Sequence, residues 1–277
     1  KWNSYRKNPL SLILFLLVTL AAAITILVLA FLIVYILIKG IPNLNLDLFA
    51  WEYNTENVSM MPAIINTLIM TVISLLIAAP LGIFAAIYLA EYARRGNKLV
   101  GVIRLTAETL SGIPSIVYGL FGMIFFVFAL EWGYSLLAGA FTLAIMILPL
   151  IMRTTEEALL SVPDSYREGS FGLGAGKLRT VFAIVLPTAI PGILAGVILA
   201  VGRIVGETAA LLYTSGTVAA VPDSLMGSGR TLSVHMYSLT SEALYMDQAY
   251  ATAVVLLVVV IAINAFSSWV AKQIKKV

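Results

Sequence analysis

Apolar runs long enough to cross a bilayer recur six times along the chain, at about Leu10–Ile38, Ala63–Leu89, Thr109–Leu130, Trp132–Met152, Thr180–Gly202 and Gln248–Ala271. A helical crossing needs about 20 predominantly apolar residues. Short polar segments separate the runs, so the pattern predicts an all-α membrane protein of six transmembrane helices. Pro80 with Gly82, Pro149, and Pro187, Pro191 and Gly192 fall within or at the ends of these runs and predict kinks. The segment Thr208–Val221 is apolar but too short to cross alone, and is expected to continue the fifth helix or to re-enter the bundle. The segments 39–62 and 222–247 are left as the sizeable outer surface.

Charge placement orients the bundle. Lys1, Arg6, Lys7, then Arg94, Arg95, Lys98, Arg104, then Arg153, Arg167, Lys177, Arg179, then Lys272, Lys275, Lys276 fall on one side, fourteen of the 17 basic residues. Lys39 and Arg230 lie opposite, and Arg203 falls at or within the fifth run. Basic residues are retained in the cytoplasm, so both termini are expected there, in a bacterial or archaeal inner membrane. The first run exceeds the roughly 7–15 residues of a secretory core and reads as an uncleaved span. It divides the chain into 1–62, an N-terminal tail, first helix and outer loop, and 63–277, a core of five helices.

Composition agrees and narrows the chemistry. Hydrophobic residues make up 61% and charged residues 11% of the 277, against about a quarter charged in soluble domains. The net charge of +3 is accounted for by topology signals rather than by nucleic-acid binding. With no cysteine and one histidine, His235, no disulfide framework and no metal centre is expected.

The segment between the fourth and fifth runs, about 153–180, carries a spaced motif. Glu168-Gly169-Ser170 is followed after three residues by Gly174 and after nine more by Ile184-Val185-Leu186-Pro187. Breaks at Pro163-Asp164 and Gly172–Gly176 predict two short helical pieces, with Asp164 as a cap. Small residues let a partner approach the backbone, and Arg167, Glu168, Lys177 and Arg179 form a charged rim. The spacing resembles the signature of binding-protein-dependent ABC importer permeases: Glu-Ala-Ala, three residues, Gly, nine residues, then Ile, any residue, Leu-Pro. Gly169 and Ser170 replace the alanines. The resemblance implies a type I ABC importer permease fold whose coupling helix docks into a separate ABC ATPase dimer. It makes Arg167, Glu168, Gly169, Ser170, Gly174, Leu186 and Pro187 the candidate coupling residues. Gly172-Leu-Gly-Ala-Gly-Lys177 is no P-loop, since Phe171 and Leu178 stand where Gly and Ser or Thr are required. No cofactor is therefore expected on this chain; ATP and Mg belong to the partner ATPase, and the chain is not an enzyme.

Two further stretches, Glu108–Gly122 and Gly202–Leu212, and the outer stretch Gly229–Glu242, resemble the A-type (PstA) family of phosphate-specific permeases. That resemblance implies a phosphate path, a C-type permease partner and an extracytoplasmic phosphate-binding protein. Candidate path residues are Arg203, Glu207, Thr208, Ser111, Ser115 and Tyr118. Arg203 and Glu207 sit four apart, on one helix face, at the edge of the uncharged run Thr180–Gly202. Intramembrane charges are costly and usually functional, and an arginine fork suits phosphate oxygens. The alternatives are a structural pair, or Arg203 snorkelling to the interface. Ser111, Ser115 and Tyr118 offer hydrogen bonds or merely close packing. His235, Met236 and Tyr237 read as an outer surface that anchors at the interface or meets a binding protein. Alternative functions are transport of another oxyanion, sulfate or molybdate, and an ion-coupled secondary anion transporter.

Overall fold

The structure, a computed structural model, describes residues 9–94, 96–241 and 243–274. Lys1, Arg6, Lys7, Arg95, Glu242, Lys275 and Lys276, some of which enter the topology and motif readings above, lie outside the described residues. Five stretches are long and apolar enough to cross: Leu10–Asn43, Met61–Tyr92, Leu136–Leu160, Lys177–Val205 and Met246–Trp269. A sixth crossing is reached when a bent pair, Lys98–Ser111 and Ser115–Ala129, which meet at 101°, is taken together as one span. No strand occurs among the described residues.

In chain order the helices are α1 (Pro9–Gly40), α2 (Met61–Ile87), α3 (Lys98–Ser111), α4 (Ser115–Gly122), α5 (Leu136–Leu160), α6 (Asp164–Gly172), α7 (Lys177–Thr180), α8 (Leu186–Val205), α9 (Ala209–Leu212), α10 (Leu232–Ser241) and α11 (Met246–Ile274). Wider π turns extend α2 over Tyr88–Tyr92 and α4 over Met123–Ala129, and join α7 to α8 over Val181–Val185. Single turns of this kind occur within α-helices, often at functional sites.

The third span departs most from the sequence reading. It starts at Ser115, not Thr109, because Gly112-Ile113-Pro114 turns the chain through a near right angle. The residues before the turn form α3, an amphipathic helix that buries Val100 and Ala107 and exposes Leu99, Val102 and Leu105. Asn97 caps it, its side chain accepting from Leu99 N at 3.0 Å. The fourth span runs through Pro149 and on to Leu160, eight residues beyond the expected end. Thr155 and Glu156 are buried there, and Arg104 of α3 meets Glu156 at 2.6 Å. Much of the expected 153–180 loop is therefore helix, and only the α6–α7 region protrudes.

Lipid supplies no hydrophobic drive between helices, so close packing through small residues carries the association. The central bundle is α2, α5 and α8, with Met70, Leu143, Met146, Ile147, Ile151, Ala200 and Ile204 in one core. Gly192 of α8 lies against Ala158 of α5, and Gly196 against Thr154, so closely that any side chain would collide. α1 stands apart, packing on α11 through Gly40 against the Tyr250 carbonyl and Tyr35 edge-on to Tyr250 at 6.0 Å.

Candidate functional site

The Gly192–Ala158 and Gly196–Thr154 contacts fix the register of α8 on α5 as antiparallel, four residues against four. Carried on to Arg203, that register reaches Ile147, beside the midpoint of α5, and Ile204 shares the core cluster of Met146 and Ile147. Arg203 thus sits at mid-depth in the bundle rather than at its edge. α8 stops two residues later: Gly206 caps it, and Thr208 leaves helical geometry at φ −122°, ψ −53°.

This break overturns the expected single helix face for Arg203 and Glu207. The buried Glu207 folds forward, its carboxylate accepting from Ala210 N at 3.0 Å and so capping α9. Its carbonyl accepts from Ser233 Oγ at 2.6 Å. Arg203 is half-buried and makes no ion pair or hydrogen bond with another described residue. Its charge acts on Tyr118 of α4. The structure does not form the Arg203–Glu207 pair.

The remaining path candidates divide by what their hydroxyl protons do. Tyr118, 5% exposed, donates to Leu110 O at 2.8 Å and ties α4 to α3 across the bend. Ser111 donates back to Ala107 O at 2.9 Å. A hydroxyl has one proton to give, so neither offers an anion a donor in this arrangement. Ser115 and Thr208 are half-buried; Thr208 makes one long contact to Gly206 O at 3.5 Å. The segment Thr208–Val221 re-enters, with Gly119 of α4 against Ala210 and Gly122 against Thr142 and Thr214.

The end of the bundle away from α6 holds polar residues that the sequence reading assigned to the surface or passed over. Asn66 of α2 donates to Ala220 O at 2.9 Å and Arg230 O at 3.2 Å, and Thr67 accepts from Leu232 N at 2.8 Å. These side chains satisfy irregular backbone at membrane depth. His235 is fully buried, not an outer surface residue, because α10 begins inside the bundle; Met236 is half-buried and Tyr237 exposed. The imidazole lies edge-on to Tyr53 at 6.3 Å, while the Arg230 guanidinium sits 4.7 Å above the same ring. Neither ring nitrogen of His235 has a hydrogen-bond partner. Burial first, and the Arg230 charge second, lower its pKa to about 3, so it is neutral near pH 7.

At the opposite end, α6 shows which coupling candidates face outward. Tyr166, Phe171, Leu173 and Leu178 are exposed, Leu173 at 91%, and with them Glu168, Gly169 and Gly174. Gly174 has φ +83°, a left-handed turn that favours glycine. Arg167 and Ser170 are corrected: both turn inward. Ser170 is buried and shares a hydrogen bond with Thr180 at 2.8 Å, fastening α6 to α7. Arg167 is bound to Glu91 at 2.6 Å. Leu186 and Pro187 open α8 instead of lying in the protruding loop. Asp164 is the first residue of α6 and pairs with Arg167 at 3.3 Å; it does not cap the helix. Glu91 was missed because it ends an apolar span, where a lone carboxylate reads as a boundary.

Residues 78–276 match the family of binding-protein-dependent transport system inner membrane components. A probable ABC transporter permease protein, YqgI, of Bacillus subtilis (strain 168) is 34% identical over 93% of each chain. The phosphate transport system permease protein PstA of Pasteurella multocida (strain Pm70) is 36% identical over 83% of this chain and 82% of its own. Among solved structures, a chain of a bacterial alginate ABC transporter, crystallised with an alginate pentasaccharide-bound periplasmic protein, superposes with a TM-score of 0.70 at 16% identity over 99% of this chain and 98% of its own. At that identity the likeness speaks for the fold.

Proposed function

This chain belongs to the family of binding-protein-dependent transport system inner membrane components, and from that premise we propose that it is the A-type permease subunit of an ATP-driven phosphate importer. Its role is path and lever; hydrolysis, with ATP and Mg, is the work of a partner ATPase dimer. A C-type permease completes the path, and an extracytoplasmic phosphate-binding protein delivers the ion. Both termini and the α6 protrusion face the cytoplasm of a bacterium or archaeon.

One observation carries the choice of an anion: Arg203, at mid-depth beside the break in α8, has no counter-ion among the described residues. A charge there costs about 2.5–3.5 kcal/mol on insertion scales, and an oxyanion passing between two permease subunits would offset it with paired hydrogen bonds. Glu168, Gly169, Gly174 and the exposed apolar residues of α6 and α7 supply the ATPase contact. Arg167 and Ser170 hold that element in place, and Leu186 and Pro187 root it in α8. Ser115, and Thr208 with only a long contact to Gly206 O at 3.5 Å, are the hydroxyls open to the path, with Glu207 fixing the break and Ser111 and Tyr118 the bend. Reconstitution with candidate ATPase, C-type permease and binding-protein partners tests this, with ATP-dependent uptake measured for phosphate, sulfate and molybdate. Uptake of sulfate or molybdate in place of phosphate would reassign the substrate; uptake without ATP would refute the reading altogether.

A further inference from the structure

Arg167 has five N–H donors in a rigid fork, and all five find acceptors inside the chain. Nε reaches Glu91 Oε1 at 3.1 Å, and one Nη2 hydrogen the same oxygen at 2.6 Å. The other Nη2 hydrogen goes to Leu159 O at 2.9 Å. Nη1 serves Val162 O at 2.7 Å and Asp164 Oδ1 at 3.3 Å. The side chains of Arg167 and Glu91 are 15% and 7% exposed. The acceptors come from four places: the π turn that ends α2, the last turn of α5 at Leu159, the 161–163 turn at Val162, and the first turn of α6. Lys177, 5.1 Å above the Tyr92 ring, braces the same corner from α7.

A short helix on a flexible turn would swing when pushed. Here the turn at 161–163 is bridged, since Arg167 grips one carbonyl before it, Leu159 O, one within it, Val162 O, and a carboxylate on a neighbouring span. α2 and α5 in turn form the most extensive helix interface of the bundle. A force on α6 therefore reaches both helices together.

We propose that Arg167 and Glu91 are positioning residues of the coupling step, a latch that makes α6, α2 and α5 one moving body. The proposal rests on the ATP-driven permease reading for the source of the force. It assigns Arg167 no contact with the ATPase, because every donor it has is already engaged.

The test uses the assembled complex with its ATPase, permease and binding-protein partners in proteoliposomes. The chain lacks cysteine, so Ser165→Cys on α6 and Leu81→Cys on the exposed side of α2 give it two labelling sites. In the parent, the label-to-label distance is expected to be single and the same with and without ATP. Glu91→Gln keeps the shape and removes the charge. It is expected to retain ATPase binding, to hydrolyse ATP within two-fold of the parent, to move at least ten-fold less radiolabelled phosphate per ATP, and to broaden the distance distribution. Glu91→Asp restores the ion pair and should stay within about three-fold of the parent. Arg167→Lys, which pairs with Glu91 but cannot reach all the carbonyls, should fall between. A parent distance that changes with ATP overturns the latch, as does an unchanged transport ratio in Glu91→Gln. Loss of ATPase binding in both Glu91 variants would make the pair a folding element only, which also overturns it. The distance needs no phosphate, so a parent that fails to transport refutes the functional reading while the latch is still judged on the labels.

Discussion

Acidification should loosen the α10 end of this bundle through one side chain. His235 has no hydrogen-bond partner on either ring nitrogen, and its pKa falls from 6.5 to about 3 in the folded chain. An opened segment takes up the proton first, so the stabilising difference is complete above pH 6.5, shrinks as pH falls from 6.5 towards 3, and is gone as a further pH dependence below that. Each pH unit inside the window is worth about 1.4 kcal/mol. Between pH 7 and pH 5 the loss comes to about 2 kcal/mol, a rise of roughly 25-fold in the opening equilibrium. Hydrogen–deuterium exchange of the amides in 232–239, corrected for the intrinsic pH dependence of exchange, reads that equilibrium directly. His235→Phe keeps an aromatic ring against Tyr53 and removes two unpaired polar atoms, so it should be at least as protected at pH 7 and show no pH slope. If the parent shows no slope, or the Phe variant retains it, the buried neutral imidazole is not the cause.

Because Glu207 caps α9 and does not pair with Arg203, the two sites should act independently. Arg203→Ala and Arg203→Lys should both depress phosphate uptake, Lys less; adding Glu207→Ala should not rescue it, and that change alone should cost about 0.5–2 kcal/mol of thermal stability as a lost cap. Gly196→Ala drives a methyl group into Thr154 at the tightest contact of α8 on α5 and should destabilise the bundle by about 1–3 kcal/mol, seen as a lower Tm. Gly174→Asp meets no neighbour within the chain, but it forces a left-handed turn on a residue with a side chain and places a charge on the docking face. ATPase binding, measured by co-purification, should fall while membrane insertion persists. An impermeant thiol reagent applied to sealed cells should label Ser224→Cys and spare Ser165→Cys; the reverse would invert the topology.

The spans were legible because lipid demands long apolar runs, and the coupling element because its glycines and charges stand at fixed spacing. What the sequence hid was where helices stop. Charges end an apolar run in the text, yet α5 carries Arg153, Glu156 and Glu157 as helix, with the charge of Glu156 met by Arg104 from a helix 52 residues earlier. A spacing of four implied one face for Arg203 and Glu207, but that inference holds only while the helix continues. Gly206 ended it, and one glycine among 20 gives no such notice. Arg167 read as a rim charge because exposed and buried arginines look alike in sequence; Glu91, its partner, lies 76 positions away.

The right-angle bend at Gly112–Pro114 leaves Ser115–Ala129 as the limb that continues the third apolar run. Fifteen residues, seven of them in wider π turns, rise at most about 22 Å at the α-helical 1.5 Å each, short of the roughly 30 Å hydrocarbon layer. For that limb to cross alone, the bilayer beside α4 would have to thin to meet it, or α3 to sink and make up the difference, and either response carries a modest elastic penalty for every ångström. Membrane thickness thereby becomes a variable acting on this subunit: longer acyl chains would strain the bend that Tyr118 holds closed, and shorter ones would relax it.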